Sequence, residues 1–321
     1  MFKRILVPLD GSSRAEYALP VAAHIARATG SSMHLLRVAA LPIDYGGGLA
    51  EAPLLMEQMI ETEMDVTTSY LKRVAAFPLL KDIQITTEAA FGLPAQYILA
   101  RAQPGTTDLI VLCSHGRTGF ARWALGSVAH TLVHESTIPT LILRENEPAS
   151  FLSDSDTARP LHTLIPLDGS QLAKYVLDPA SYLTAALSAP EQGGALHLAE
   201  VVRFYAETAD ETFISGQNEE ALQHARAYLA TTREHLLVTQ KDLKLTLTYS
   251  VEFDTDVASV LVHLAEHGSD GKANTSVACD LIAMSTHGRS GLERWVMGSV
   301  TERVLSTTRL PMLIVRPPKN K

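Results

Sequence analysis

Ile5-Leu-Val-Pro-Leu-Asp-Gly-Ser12 returns later in the chain as Thr163-Leu-Ile-Pro-Leu-Asp-Gly-Ser170. Each is a short apolar run that ends in an acid and a glycine, the pattern of a strand entering a tight turn. Farther on, Ser114-His-Gly-Arg-Thr-Gly-Phe-Ala-Arg-Trp-Ala-Leu-Gly-Ser-Val128 returns as Thr286-His-Gly-Arg-Ser-Gly-Leu-Glu-Arg-Trp-Val-Met-Gly-Ser-Val300. The only two tryptophans, Trp123 and Trp295, fall at matching places in it. Self-similarity on this scale decides the architecture before any single motif does: the chain is one unit written twice. Asp10 pairs with Asp168 and Gly116 with Gly288, which makes the second copy the longer between its motifs. The polar segment 266–278 (EHGSDGKANTSVA) holds most of the excess.

Working outward, short β-branched runs alternate with longer helical patterns. In the first copy the pattern predicts strands at 4–8, 33–38, 84–90, 109–113 and 140–143, and helices at 15–28, 56–74, 94–102 and 127–135. Ser13-Arg-Ala-Glu16 reads as a capping box opening the first helix. In the second copy strands are expected at 163–166, 195–201, 243–251, 281–284 and 312–315. Strands alternating with helices mean βαβ units and a parallel sheet. Asp108-Leu-Ile-Val-Leu112 is apolar almost throughout, as a strand covered on both faces should be. The polar, turn-forming stretch from Glu145 to Pro160 reads as a seam. The expected organisation is a domain over 1–146, a linker over 147–160 and a second domain over 161–321.

The chain has 321 residues, 46% hydrophobic and 19% charged, a globular composition long enough for two cores. A net charge of −8 without a long basic run argues against a nucleic-acid partner. Cys113 and Cys279 lie beside apolar runs and read as buried, reduced thiols. The opening MFKRILVPLDGS reads as a strand, not a signal peptide, and no stretch of about 20 apolar residues would span a membrane. The expected location is cytoplasmic.

The chemistry sits in two loops. Open parallel sheets bind ligands beyond the carboxyl ends of their strands, where the strand order reverses. Asp10 and Asp168 follow the first strand of each copy and can accept hydrogen bonds from a ribose hydroxyl or an amino group; Asp-Gly-Ser is equally a turn and helix cap. The second loop runs from His115-Gly116 to Gly126-Ser127-Val128, and again from His287-Gly288 to Gly298-Ser299-Val300. Glycine lets the backbone approach a phosphate, and a serine at a helix start leaves N–H groups open to an anion. A glycine-rich connection with a plain cap has the same spelling, but its return at identical spacing beside a matching Asp loop favours a phosphate cradle. Neither a Walker loop nor a Gly-x-Gly-x-x-Gly fingerprint occurs. His115 and His287 have no nucleophile or carboxylate beside them in sequence and read as backbone-positioning or stacking residues. No catalytic residue and no metal-ligand set is assigned. Arg117, Arg122, Arg289 and Arg294 suit phosphates and solvent equally. The loop Tyr45-Gly-Gly-Gly48 and the segment 209–219 read as plain loops, with lids or partner surfaces as the alternative.

With these residues in place the chain resembles the universal stress proteins, over both copies. ATP-binding members of that family carry Gly-x2-Gly-x9-Gly-Ser/Thr after the fourth strand and an Asp after the first. Gly116, Gly126 and Ser127 match this pattern, as do Gly288, Gly298 and Ser299. Cys113 and Ser285 stand where the family has its first glycine. The turns Pro8-Leu9-Asp10 and Pro166-Leu167-Asp168 match the acidic position that meets the nucleoside. Val38 and Val201 match the position whose backbone meets adenine. The resemblance implies two doubly wound α/β domains with parallel five-stranded sheets of order 3-2-1-4-5. It also implies pairing through the fifth strands, here an internal pseudodimer between 140–143 and 312–315, with a homodimer open as well. The implied ligand is ATP, with or without Mg2+, and the implied role is that of a nucleotide-binding sensor or regulator of the stress response. A slow ATPase or nucleotidyl-transferring enzyme and a nucleotide-free interaction pseudodimer are the alternatives. Phe91-Gly92-Leu-Pro94 keeps the family's glycine after the third strand, whereas the second copy has Phe253-Asp254-Thr-Asp256. Two acids near a phosphate site predict the first copy to be the better binder.

Overall fold

The computed structural model describes residues 2–40, 53–114, 125–144, 160–189, 193–203, 211–268, 277–288 and 297–318. The chain divides into two compact units, Met1–Pro148 and Ala149–Lys321. The linker 147–160, apart from its last residue, lies outside the described residues, as do Trp123, Trp295, the loop 45–48 and the four loop arginines. Of 209–219, the part from Glu211 onward is helix, not loop.

The first unit runs β1 (Arg4–Leu9), α1 (Ser13–Glu16), α2 (Ala18–Thr29), β2 (Ser32–Ala39), α3 (Pro53–Ala75), β3 (Ile85–Phe91), α4 (Pro94–Arg101), β4 (Leu109–Cys113), α5 (Ser127–Glu135) and β5 (Thr140–Leu143). Its strands are parallel in the order β3-β2-β1-β4-β5. The second unit opens with β6 (Leu161–Pro166) and a 3-10 turn over Ala173–Val176. It continues with α6 (Leu177–Leu187), β7 (Gly194–Val202), α7 (Glu211–Thr239), β8 (Thr246–Phe253), α8 (Val257–His267), β9 (Leu281–Ser285), α9 (Ser299–Thr307) and β10 (Met312–Val315). Its order, β8-β7-β6-β9-β10, is the same topology. Every residue of β4 and of β9 is buried, which is why both strands are spelled without a polar alternation. No described helix is long and apolar enough to cross a membrane.

Three expectations change. The helix expected over 15–28 is two helices broken at Tyr17. Pro20 has no N–H for the Glu16 carbonyl and its ring crowds that carbonyl, so the helix restarts. Its cap is Ser12, not Ser13: Ser12 is extended and its Oγ accepts from the Ala15 N–H at 3.2 Å. The expected strand at 243–251 begins only at Thr246, because Lys241–Leu243 form a 3-10 turn that ends on Lys244 at φ 52°.

The register gives each unit a histidine with a different second partner. His34 faces Thr86 across β2 and β3, and His197 faces Thr248 across β7 and β8, each through a 2.8 Å contact from Nδ1 to the threonine Oγ1. The other ring nitrogen of His34 meets the Glu88 carboxylate at 3.1 Å, whereas that of His197 meets the Ser250 hydroxyl at 3.0 Å. Burial, aided by the nearby His162, lowers His197 from the usual 6.5 to about 4. Below pH 6.5 the unfolded chain therefore takes up a proton that folded His197 refuses. The stability this histidine contributes is fully present above pH 6.5 and is lost as the pH falls toward 4. We expect acidification across that window to destabilise the second domain by on the order of 3 kcal/mol. His197→Gln should flatten the dependence. Urea denaturation at pH 7 and pH 4.5, followed by circular dichroism, checks it; an equally steep loss in the variant would count against the assignment.

Candidate functional site

Both acidic turns are built alike. Gly11 and Gly169 have positive φ, 87° and 82°, so the chain can reverse directly after Asp10 and Asp168. Asp10 Oδ1 accepts from the Ser12 N–H at 2.9 Å and the Ser12 hydroxyl at 2.6 Å. Asp168 Oδ1 accepts from the Ser170 N–H at 3.0 Å, and Ser170 Oγ in turn accepts from the Ala173 N–H at 3.1 Å. Each carboxylate is thus fixed by one of its own oxygens before any ligand arrives.

The second loop closes on its own backbone. The Gly298 N–H donates to the Thr286 carbonyl at 2.7 Å, as the Gly126 N–H does to Ser114 at 2.8 Å in the first domain. Gly298 and Gly126 are extended caps of α9 and α5, so Ser299 and Ser127 open those helices. The first N–H groups of a helix have no intrahelical acceptor and carry its positive dipole end. In the second domain the two loops approach each other at Gly288. A Cβ on Gly288 would sit 2.0 Å from Asp168 Oδ2, so only glycine admits the acid there.

Around that contact the second domain holds a cavity of about 900 Å3. Every second-domain position picked out from the sequence lines it: the turn Pro166-Leu167-Asp168, Val201, Ser285, His287-Gly288 and Gly298-Ser299-Val300. Thr286 Oγ1 holds His287 Nδ1 at 2.8 Å, which orients the ring by its neighbour. In the first domain Pro8 and Leu9 end β1, Val38 lies near the end of β2, Cys113 ends β4 in a buried position, and Gly126, Ser127 and Val128 open α5. His115 and Gly116 lie outside the described residues.

The cavity also contains groups that the sequence did not single out, among them Glu200 on β7, Arg203 after it, and Glu220 and His224 on α7. Glu200 stands out in hindsight as an acid inside the otherwise apolar end of Ala195-Leu-His-Leu-Ala-Glu-Val201. Asp254 and Asp256, expected to repel phosphates, do not line the cavity. Asp256 caps α8, accepting from the Ser259 hydroxyl at 2.8 Å and pairing with Arg303 at 2.7 Å. Those partners, Arg303 foremost, hold its carboxyl below the usual range. Asp254 Oδ1 accepts from the Asp256 N–H at 2.8 Å. Their charges serve the start of the helix, and the argument for unequal phosphate sites loses its basis. Among the described residues no three His, Cys, Asp or Glu side chains gather to hold a metal ion.

The universal stress protein family model matches residues 1–144 and, separately, residues 161–316. The chain belongs to the universal stress protein family. A universal stress protein of Bacillus subtilis, YxiE, is 32% identical over 148 residues, 45% of this chain and 100% of that one. A universal stress protein of Mycobacterium bovis is 25% identical over 240 residues, 74% of this chain and 70% of that one. In fold, the chain is similar to a universal stress protein of Archaeoglobus fulgidus, at TM-score 0.59 and 17% identity, with 98% of each chain covered. The duplicated motifs are therefore duplicated family domains.

The Asp168–Gly288 contact makes a specific demand. We expect Gly288→Ala to destabilise the second domain by about 1–3 kcal/mol, the usual cost of overpacking. In an Asp168→Ala background most of that cost should disappear. A double-mutant cycle in urea measures the coupling, and additive effects would show that the two loops do not press on each other.

Proposed function

We propose that this universal stress protein is a nucleotide-binding regulator, with ATP as the leading ligand, and not a rapid enzyme. The observation that carries this reading is the convergence of the acidic turn, the glycine contact and the helix start on one cavity. Its volume suits a nucleotide, since ligand pockets commonly enclose about 300–1,000 Å3. The phosphates belong at Gly298, Ser299 and Val300, where open N–H groups and the dipole of α9 favour anions. The ribose belongs at Asp168, whose Oδ2 faces the Gly288 approach. The base belongs at the far side of β6, beside Val201. A Mg2+ ion accompanying the nucleotide prefers oxygen donors, and the Ser299 hydroxyl and Asp168 carboxylate are two such side chains lining the cavity. Its contribution there would be to neutralise phosphate charge.

The regulatory reading follows from what the pocket offers. It fixes an acid, an anion cradle and an apolar wall, all of which bind and orient. A ligand held by loops from several strands ties those loops together, and binding energy of that kind shifts conformational populations. The first domain carries the same acidic turn and the same start of α5, so the proposal extends to it. The protein that reads the bound state is not specified by the site.

We expect the purified chain to release an adenine nucleotide on denaturation, detected by chromatography. Saturating ATP should raise the unfolding free energy by roughly 3 kcal/mol at a hundredfold excess over Kd. Asp168→Ala should weaken that stabilisation. Absence of both bound nucleotide and thermal shift would overturn the proposal. Sustained phosphate release, abolished by the same substitution, would favour the slow ATPase instead.

A further inference from the structure

Toward the amino ends of β2 and β3, away from the ligand crevice, the first domain carries a hydroxyl, an imidazole and a carboxylate in series. Thr86 and Glu88 are two residues apart on β3 and so share one face of the sheet, and His34 on β2 pairs with Thr86 in the register. His34 Nδ1 lies 2.8 Å from Thr86 Oγ1, and its Nε2 lies 3.1 Å from Glu88 Oε2. β3 is the outermost strand of this domain's order. Thr86 is exposed there, while His34 and Glu88 are half-buried.

The partners of this series fix its protons. The Tyr97 hydroxyl and the Arg101 guanidinium, both from α4, donate to Glu88 Oε1 at 2.6 and 2.5 Å. Partial burial works against the charge on Glu88, but the hydrogen bonds from Tyr97, Arg101 and His34 outweigh it and hold the carboxyl below its usual range. An ionised carboxylate only accepts, so the neutral ring of His34 carries its proton on Nε2. Nδ1 is then a lone pair, and the Thr86 hydroxyl donates to it. A hydroxyl bonded to a base that a third group orients is the arrangement of an activated nucleophile. Thr86 opens to solvent, so reactivity and not shape selects what it takes.

We propose that Thr86 is a modification site that accepts an acyl group from an activated acyl donor, an acyl phosphate or an aryl ester, with His34 as its general base. Thr86 Oγ attacks the carbonyl carbon while its proton passes to His34 Nδ1. The imidazolium so formed faces the Glu88 carboxylate, which stabilises it. The bond from the carbonyl carbon to the leaving oxygen then breaks, and that oxygen takes the proton from His34. An ester on Thr86 and a free phosphate or phenol result, with nothing oxidised or reduced. The second domain supplies the comparison. Thr248 meets His197 in the same way, but Ser250 stands where the first domain has Glu88. His197 is 7% exposed and burial lowers it to about 4, so it resists the proton that a general base must take.

The experiment incubates the full chain with p-nitrophenyl acetate and, separately, with acetyl phosphate, and follows acetylation of each threonine by peptide mass spectrometry. Thr86 should be acetylated faster than Thr248 and faster than Thr87, its exposed neighbour on the opposite face of β3. His34→Gln should slow the reaction at Thr86 by about 100-fold, the usual worth of a positioned general base. Glu88 is a positioning residue. Glu88→Gln, whose amide donates as well as accepts, should slow Thr86 and also abolish the single Nε2–H tautomer of His34, read from its ring nitrogen chemical shifts. The contrast among Thr86, Thr87 and Thr248 in the natural sequence decides the matter even if a variant fails to fold. Acetylation of Thr86 no faster than of the other two overturns the proposal, as does an unchanged Thr86 rate in folded His34→Gln. Neither result bears on nucleotide binding.

Discussion

Asp168 and Gly288 come so close that a methyl group on the glycine would lie 2.0 Å from the carboxylate oxygen. The contact sits where β6 and β9 run side by side and the strand order turns back, so their following loops diverge and leave a crevice between them. Much else in the site hangs on it. The Asp168 side chain is held from behind by the Ser170 N–H, and Ser170 in turn caps the turn that leads into α6. Gly288 begins the segment that ends at Gly298, whose N–H returns to the Thr286 carbonyl and so sets the start of α9. The carboxylate and the helix start at the two ends of the candidate site are thus linked through a few backbone hydrogen bonds. Displacing either loop would displace the other.

The parts of this arrangement that were legible in the sequence are those governed by local backbone chemistry. A strand buried on both faces must be apolar throughout, and Leu109–Cys113 and Leu281–Ser285 are nearly so. Turns with positive φ and glycine caps leave their spelling in Asp-Gly-Ser and Gly-Ser, and repetition separated that spelling from chance. Interactions reaching across the chain were less legible. Pro20 acts on a carbonyl one helical turn back, so the helix broke at Tyr17 where the apolar pattern ran on. Asp254 and Asp256 read in the sequence as charge near a phosphate site, whereas in the fold α8 and Arg303 use them. Glu200, Glu220 and His224 carry no local mark of the cavity in the sequence for a related reason. Whether a residue faces the cavity depends on strand register and on how α7 packs, and neither is written in its immediate neighbours.

Duplication lets the two domains be read against each other at equal topology. Where they agree, at the acidic turn and the helix start, the backbone is constrained. Where they differ, the change is compensated within the domain. His34 has a carboxylate at its second ring nitrogen and His197 a hydroxyl, and the domain that lost the acid is the one whose histidine is held neutral by burial. The exchange of Arg37 and Glu16 for Glu200 and Lys174 follows the same rule: the cation over the tyrosine of the long helix is Arg37 on Tyr70 in the first domain and Lys174 on Tyr228 in the second. A cation over a tyrosine ring is worth on the order of 1 kcal/mol, enough to favour keeping one. It need not come from the strand, however. Once Lys174 supplies it, the strand position is released from that duty, and its charge can change without loss of the ring contact. Such a position sits between the packing of the domain and its cavity. Divergence there changes the charge on the cavity wall while leaving the sheet, the acidic turn and the helix start as they are.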